Sequence, residues 1–201
     1  MLLLYAIPLG LLVGLLAGGR IAPLANARFQ WGPVAVTGLL FQLALFSEPL
    51  ASQVGHAGPG LYVASTAVVL LVIVRNISAA GMSVISAGAL FNLAAIVANG
   101  GQMPADPAAV VALTGRPVIG VDSFTNSALA GAGTALPFLG DTMVFPRPLP
   151  LANVFSIGDL LIGLGAVVFL VRTMRQTTPA TSITSRRSVT WRVPRVIADG
   201  G

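Results

Sequence analysis

The sequence predicts an all-α integral membrane protein, a helical bundle of about five transmembrane helices with a Pro/Gly-rich interfacial segment before the last of them. Three observations carry this expectation. The chain of 201 residues is 55% hydrophobic and only 8% charged, with a mean hydropathy of +0.89, too little polar surface to coat a soluble globule. Its apolar residues gather into runs close to bilayer-spanning length. Its arginines fall in alternate loops between those runs.

A helix rises about 1.5 Å per residue and needs roughly 17 to 25 apolar residues to cross the hydrocarbon. The runs lie at about 1–18, 33–46, 61–74, 77–98 and 157–171; the second and third are short and need flanking residues to span. Ala25, Asn26 and Ala27 imitate a signal-peptide cleavage site. A signal peptide carries its positive charge before the apolar core, whereas Arg20 follows it, so the first run reads as a span. Gly10, Gly14 and Gly18 form a small-xxx-small stripe on that run. The stripe suits packing inside the bundle, or else a homodimer or another membrane-protein partner. In the fourth run Ala80, Val84, Gly88 and Asn92 share a face that is small and then polar, expected to look inward.

Between the last two runs lies a long loop, 99–156, rich in Gly and Pro. Pro137, Pro146, Pro148 and Pro150 discourage regular helix, yet Phe138, Leu139, Met143, Val144 and Phe145 are too apolar for a free loop. A strip covering the outer mouth of the bundle is expected, because irregular backbone at membrane depth needs protein or a wet cavity to satisfy it. The domain plan is therefore a transmembrane domain over 1–172 and a basic, disordered cytoplasmic tail over 173–201.

Basic loops resist translocation. Arg20, Arg28, Arg75 and the tail arginines from Arg172 to Arg195 fall on one side, nine of the 11 basic residues. Glu48, Asp106, Asp122, Asp141 and Asp159 fall on the other, with Arg116 and Arg147. The expected location is a bacterial plasma membrane, N-terminus outside and C-terminus cytoplasmic. The net charge of +5 reflects the tail. Each tail arginine near an anionic leaflet contributes about 1 kcal/mol, with Trp191 as an interfacial anchor; no folded basic surface for nucleic acid is expected. Cysteine is absent and His56 is the sole histidine, which argues against zinc, iron–sulfur and thiol chemistry. No metal or cofactor is expected. The expected partners are membrane lipids.

The candidate site residues lie around the loop and the helices that flank it. Asp159 opens the last helix, and Ser156 three residues earlier makes a capping box with it. An aspartate deeper in the bilayer costs about 2.5 to 3.5 kcal/mol, which makes it a functional candidate as well. Asp141 sits after Gly140, where a turn is the ordinary explanation. Taken together, Asp141 and Asp159 are candidate catalytic carboxylates: two acids brought close split their pKa values and activate water between them. Arg147 and Asn153 lie between them in sequence as possible supports. Asn92 and Asn99 flank the end of the fourth run, suited either to interhelical hydrogen bonds or to a pocket lining. Gln42 reads as interhelical, and His56 as solvated.

Three blocks resemble a bacterial family catalogued only as domain of unknown function 5317: GLLAGGRIAPLAN (Gly14 to Asn26), ALFNLAAIVANGGQMP (Ala89 to Pro104), and LPFLGD with FPRPLPLANVFSIGDLLIGLG. That resemblance runs to about Arg172 and implies a polytopic membrane protein without implying catalysis. More distantly, Gly88-Ala89-Leu90-Phe91-Asn92-Leu93, Gly140-Asp141 and Asn153-Val154-Phe155-Ser156-Ile157-Gly158-Asp159 resemble motifs of lipoprotein signal peptidase, a membrane aspartyl peptidase. That likeness implies Asp141 and Asp159 as catalytic and Asn92 as supporting. Ala95 and Ile96 depart from it where the family has Asp-Arg. Two functions are therefore expected to compete: a non-enzymatic accessory subunit or lipid-binding module, and an intramembrane aspartyl hydrolase.

Overall fold

The computed structural model describes residues 2–47, 53–116 and 127–176. Glu48, Asp122 and the tail from Thr177, including Trp191, lie outside the described residues. In chain order the elements are α1 (Leu3–Leu16), α2 (Ala22–Ala25), α3 (Gly32–Leu45), α4 (Gly58–Arg75), α5 (Met82–Ala98), β1 (Met103–Ala105), α6 (Pro107–Thr114), β2 (Ser127–Leu129), β3 (Asp141–Phe145), β4 (Asn153–Ser156) and α7 (Ile157–Met174). Short 3-10 turns precede α4 (Gly55–Ala57) and β3 (Pro137–Leu139).

Each expected apolar run contains a helix, with ends set by local chemistry. The fourth starts at Met82 rather than Ile77 because Gly81 takes a left-handed conformation, φ 81°, after Asn76 has closed α4. Two helices are long and apolar enough to cross a membrane, Gly55–Arg75 and Ile157–Met174; α1, α3 and α5 are shorter apolar helices. Fourteen residues, the length of α1 and of α3, rise about 21 Å, less than the roughly 30 Å of hydrocarbon. Their outer faces are oily: Leu16, Leu43 and Leu40 are 79%, 67% and 61% exposed.

The all-α expectation is corrected by the loop. Residues within 99–156 build a four-stranded sheet in the order β2-β1-β3-β4. β1 pairs in parallel with β2 and β3, while β3 and β4 form an antiparallel hairpin. Of the prolines expected to discourage regular helix, Pro137 opens a 3-10 turn, and Pro146, Pro148 and Pro150 fall in the connection between β3 and β4, where a missing N–H costs no ladder bond. The stretch before them, ending in the consecutive apolar residues Met143, Val144 and Phe145, extends as β3. This cap rests on one end of the bundle through Met103 and Leu139, which bury with Ala95 and Ile96 of α5 against Tyr62, Val63 and Ile157.

α7 lies between α5 and α1, α4 packs on α5, and α3 packs on α4. Close approach sets both α7 contacts. A Cβ on Gly88 would run into the Gly158 carbonyl and Leu161, and one on Gly10 would stand 2.7 Å from Leu170 Cδ1. Gly14 faces Met174, so two members of the sequence's glycine stripe pack within the chain, whereas Gly18 meets no neighbour among the described residues. Polar side chains tie the rest. Gln42 Nε2 donates to Ser65 Oγ (3.2 Å) and Thr66 Oγ1 (3.1 Å) across α3 and α4. Buried Asn76 accepts from Gln30 N at 2.8 Å and donates to Gln30 O at 2.9 Å. Among the described residues the acids Asp106, Asp141 and Asp159 belong to the cap and its junction with the bundle. Arg75, Arg172 and Arg175 lie at the opposite helix ends, and Arg20 joins them through its N–H to Met174 O at 2.8 Å.

Candidate functional site, the junction of cap and bundle

The junction is built outward from the start of α7. Ser156 caps that helix: Asp159 N donates to Ser156 Oγ at 3.0 Å, and Ser156 N donates to Asp159 Oδ2 at 3.2 Å. This is the capping box expected from the sequence. α5 adds a third partner. Ser156 Oγ donates to Asn92 Oδ1 (2.8 Å), and Asn92 Nδ2 donates to Asp159 Oδ1 (3.0 Å). Each hydrogen bond in the ring meets a partner of the right kind, and Ser156 is fully buried. Gly158 makes room for it, since a Cβ there would collide with Asn92 Oδ1.

β3 brings Asp141 to the same place. Asp141 pairs with Ser156 across the hairpin, and its carbonyl accepts from Asp106 N at 3.0 Å. Burial, and then the nearby Asp159 carboxylate, push the Asp141 carboxyl up from 3.8 to about 7. Asp106 caps α6 by accepting from Ala108 N at 2.7 Å, a role the Asp106-Pro107 dipeptide signals locally.

The other candidates are placed apart from this ring. Asn99 pairs with the loop backbone, accepting from Ala135 N (3.0 Å) and donating to Ala135 O (2.8 Å) and Ala95 O (2.7 Å). It also lines an open cavity of about 300 Å³ with Gln102, Pro104, Ala128, Leu129 and Thr134. Arg147 and Asn153 stand at the far end of the hairpin. Arg147 is exposed, joined to Pro148 by a cis bond, and among the described residues it pairs with neither Asp141 nor Asp159. Asn153 faces Phe145 in the ladder. His56 is exposed in the turn before α4.

One participant was missed from the sequence. The Tyr5 ring stacks on Phe145 at 4.8 Å, so α1 braces the hairpin, and its hydroxyl is buried with no hydrogen-bond partner among the described residues. A lone tyrosine in an apolar run gives no sign of this. Among the described residues no group of three or more His, Cys, Asp or Glu is placed to hold a metal ion.

A sequence profile described as a family of unknown function (DUF5317) matches residues 26–171. The chain belongs to this family. The matched segment contains Asn92, Asp141, Ser156 and Asp159, so the whole junction ring lies in the family region, while α1 precedes it. No curated protein matches the chain, and no solved structure matches it.

Proposed function

We propose that this DUF5317 member is a multi-pass plasma-membrane protein with its N-terminus outside and its C-terminus in the cytoplasm. On this reading it acts as a lipid-facing binding module or accessory subunit, with its cap on the outer side. The observation that carries the reading is the split of charge along the bundle: the described acids sit at the cap, while Arg20, Arg75, Arg172 and Arg175 gather at the other end. Oily faces lie between. The closed ring at Asp159 favours a structural role for that acid, since both of its oxygens are already engaged. The small cavity beside Asn99 gives the module a place to take a ligand. The chain has no cysteine, so single cysteines at Gly133 and Arg175 test the orientation. An impermeant maleimide should label the first in intact cells and the second only after lysis; the reverse pattern overturns the reading.

A second reading, an aspartyl hydrolase using Asp141 and Asp159, is favoured by the Asp141 carboxyl standing near neutrality beside a second acid. It predicts that purified protein cleaves a fluorogenic lipopeptide and that Asp141→Asn and Asp159→Asn each abolish cleavage. Turnover no higher in the wild type than in Asp141→Asn rejects it.

A further inference from the structure

We propose that the α3–α4 face is a binding site for one anionic phospholipid, the phosphate at Arg75 and one acyl chain in the groove that leads away from it. The proposal rests on the membrane reading above. Pro33, Val34, Thr37 and Phe41 of α3, with Ser65 and Val68 of α4, line an open, mainly apolar groove of about 450 Å³. Its register is fixed by the helix pair. Gly38 lies against Val69, and Gln42 closes the inner end through its bonds to Ser65 and Thr66. Antiparallel packing then puts Pro33 and Val34 level with the end of α4.

The end of the groove opposite Gln42 carries charge. The Arg75 guanidinium stands 5.5 Å from the centre of the Trp31 ring, and both residues are exposed. Among the described residues no carboxylate lies at this end of the bundle, so the cation is left for an outside anion. Trp31, just before α3, is the residue type that settles at headgroup level. Length decides between a small anion and a lipid. From Arg75 to Ser65 the helix rises about 15 Å, half of a roughly 30 Å hydrocarbon core, which is one leaflet. A phosphate alone leaves the groove empty, whereas an acyl chain extends from the phosphate to the Gln42 floor.

Trp31 reports on the site. With Trp191→Phe it becomes the sole tryptophan, and the protein is placed in phosphatidylcholine vesicles containing equal small fractions of phosphatidylglycerol and marker phosphatidylcholine. Either the former or the latter is brominated near the glycerol. Brominated phosphatidylglycerol should quench Trp31 with roughly fivefold higher apparent affinity, the scale of one arginine at an anionic surface. Arg75→Gln should bring the ratio to about 1, Arg75→Lys should keep most of it, and Val68→Phe, which fills the groove without touching a cation, should cut it by about half. Equal quenching by both lipids in the wild type overturns the site while leaving the membrane reading standing. A ratio lost in Arg75→Gln but untouched by Val68→Phe overturns the groove as the acyl-chain seat. Quenching by neither lipid overturns the membrane reading and the site together.

Discussion

Ser156 has a single hydroxyl and uses it twice, accepting from the backbone of its own helix and donating to Asn92 on another. Removing one member therefore strands the others in a buried place. Asn92→Leu leaves Asp159 Oδ1 and Ser156 Oγ without their partner and should cost about 2 to 4 kcal/mol, at the upper end for loss of a buried group bonded to a charge. Ser156→Ala removes the cap as well as the bond to Asn92 and should cost a similar amount, about 2 to 4 kcal/mol. Denaturant unfolding in a mild detergent, followed by Trp31 fluorescence in a Trp191→Phe background, checks both. Asp141 gives a pH signature. Its folded pKa of about 7 lies above the ordinary 3.8, so between those values the folded state holds more protons than the unfolded one. Stability should then fall as pH rises from about 4 to 7 and level off above, by roughly 2 kcal/mol after allowance for partial exposure. Asp141→Asn should flatten that slope and be the more stable protein at pH 8. A wild-type melting temperature that rises from pH 5 to pH 8 would contradict the buried, proton-holding carboxyl.

Helix contacts concentrate the consequences of small changes. At Gly88 and Gly158 the backbones of α5 and α7 touch, and a side chain on either displaces a carbonyl or Asn92 itself. Gly158→Ala should therefore resemble Asn92→Leu in its loss of stability, about 2 to 4 kcal/mol, although it deletes no polar atom. Gly18→Ala meets no neighbour but must hold φ 77°, so its cost should stay near 1 kcal/mol. Thermal melts of the two variants side by side separate packing from backbone conformation. The elements differ in how legible they were. Ser156 and Asp159 announced their helix start because the capping box is local, three residues long. Asn92 was legible as polar on a small face, but its partners lie 64 and 67 residues away, and nothing in sequence fixes such a pairing. The sheet escaped because β1 and β2 are three residues each, too short to show alternation, and because they pair in parallel across an intervening helix. Pro146, Pro148 and Pro150 mark where the β3–β4 hairpin turns, but they were legible only as discouraging helix in an apolar strip.

For the molecule as a whole, apolar composition was the readable quantity, a global sum that local errors do not disturb, whereas the sidedness of charge rests on the number of spans. The sheet changed the fold class without moving Asp106, Asp141 or Asp159 away from one end of the bundle. At this scale α1 matters beyond its place outside the family match. It covers Val167, Leu170 and Met174 of α7 and stacks Tyr5 on the hairpin. Gly10→Leu should push α1 off α7 and release both contacts at once. The expected outcome is faster chymotrypsin cleavage after the exposed Leu151 in the β3–β4 connection, seen by mass spectrometry of the purified protein, while the ring at Asn92 holds. Unchanged cleavage would mean that the hairpin stands without its brace.

The place of α7 in the order of synthesis has one more effect. The most extensive contacts of α1 and α5 are both made with α7, a helix that leaves the ribosome after them, and the hairpin that completes the sheet emerges just ahead of it. At about 5 to 20 residues per second, α1 waits roughly 10 to 30 s for its partner. During that interval its glycine face lacks its native partner, as for a shorter time does the Asn92 amide, and both contacts close only when Ile157–Met174 arrives.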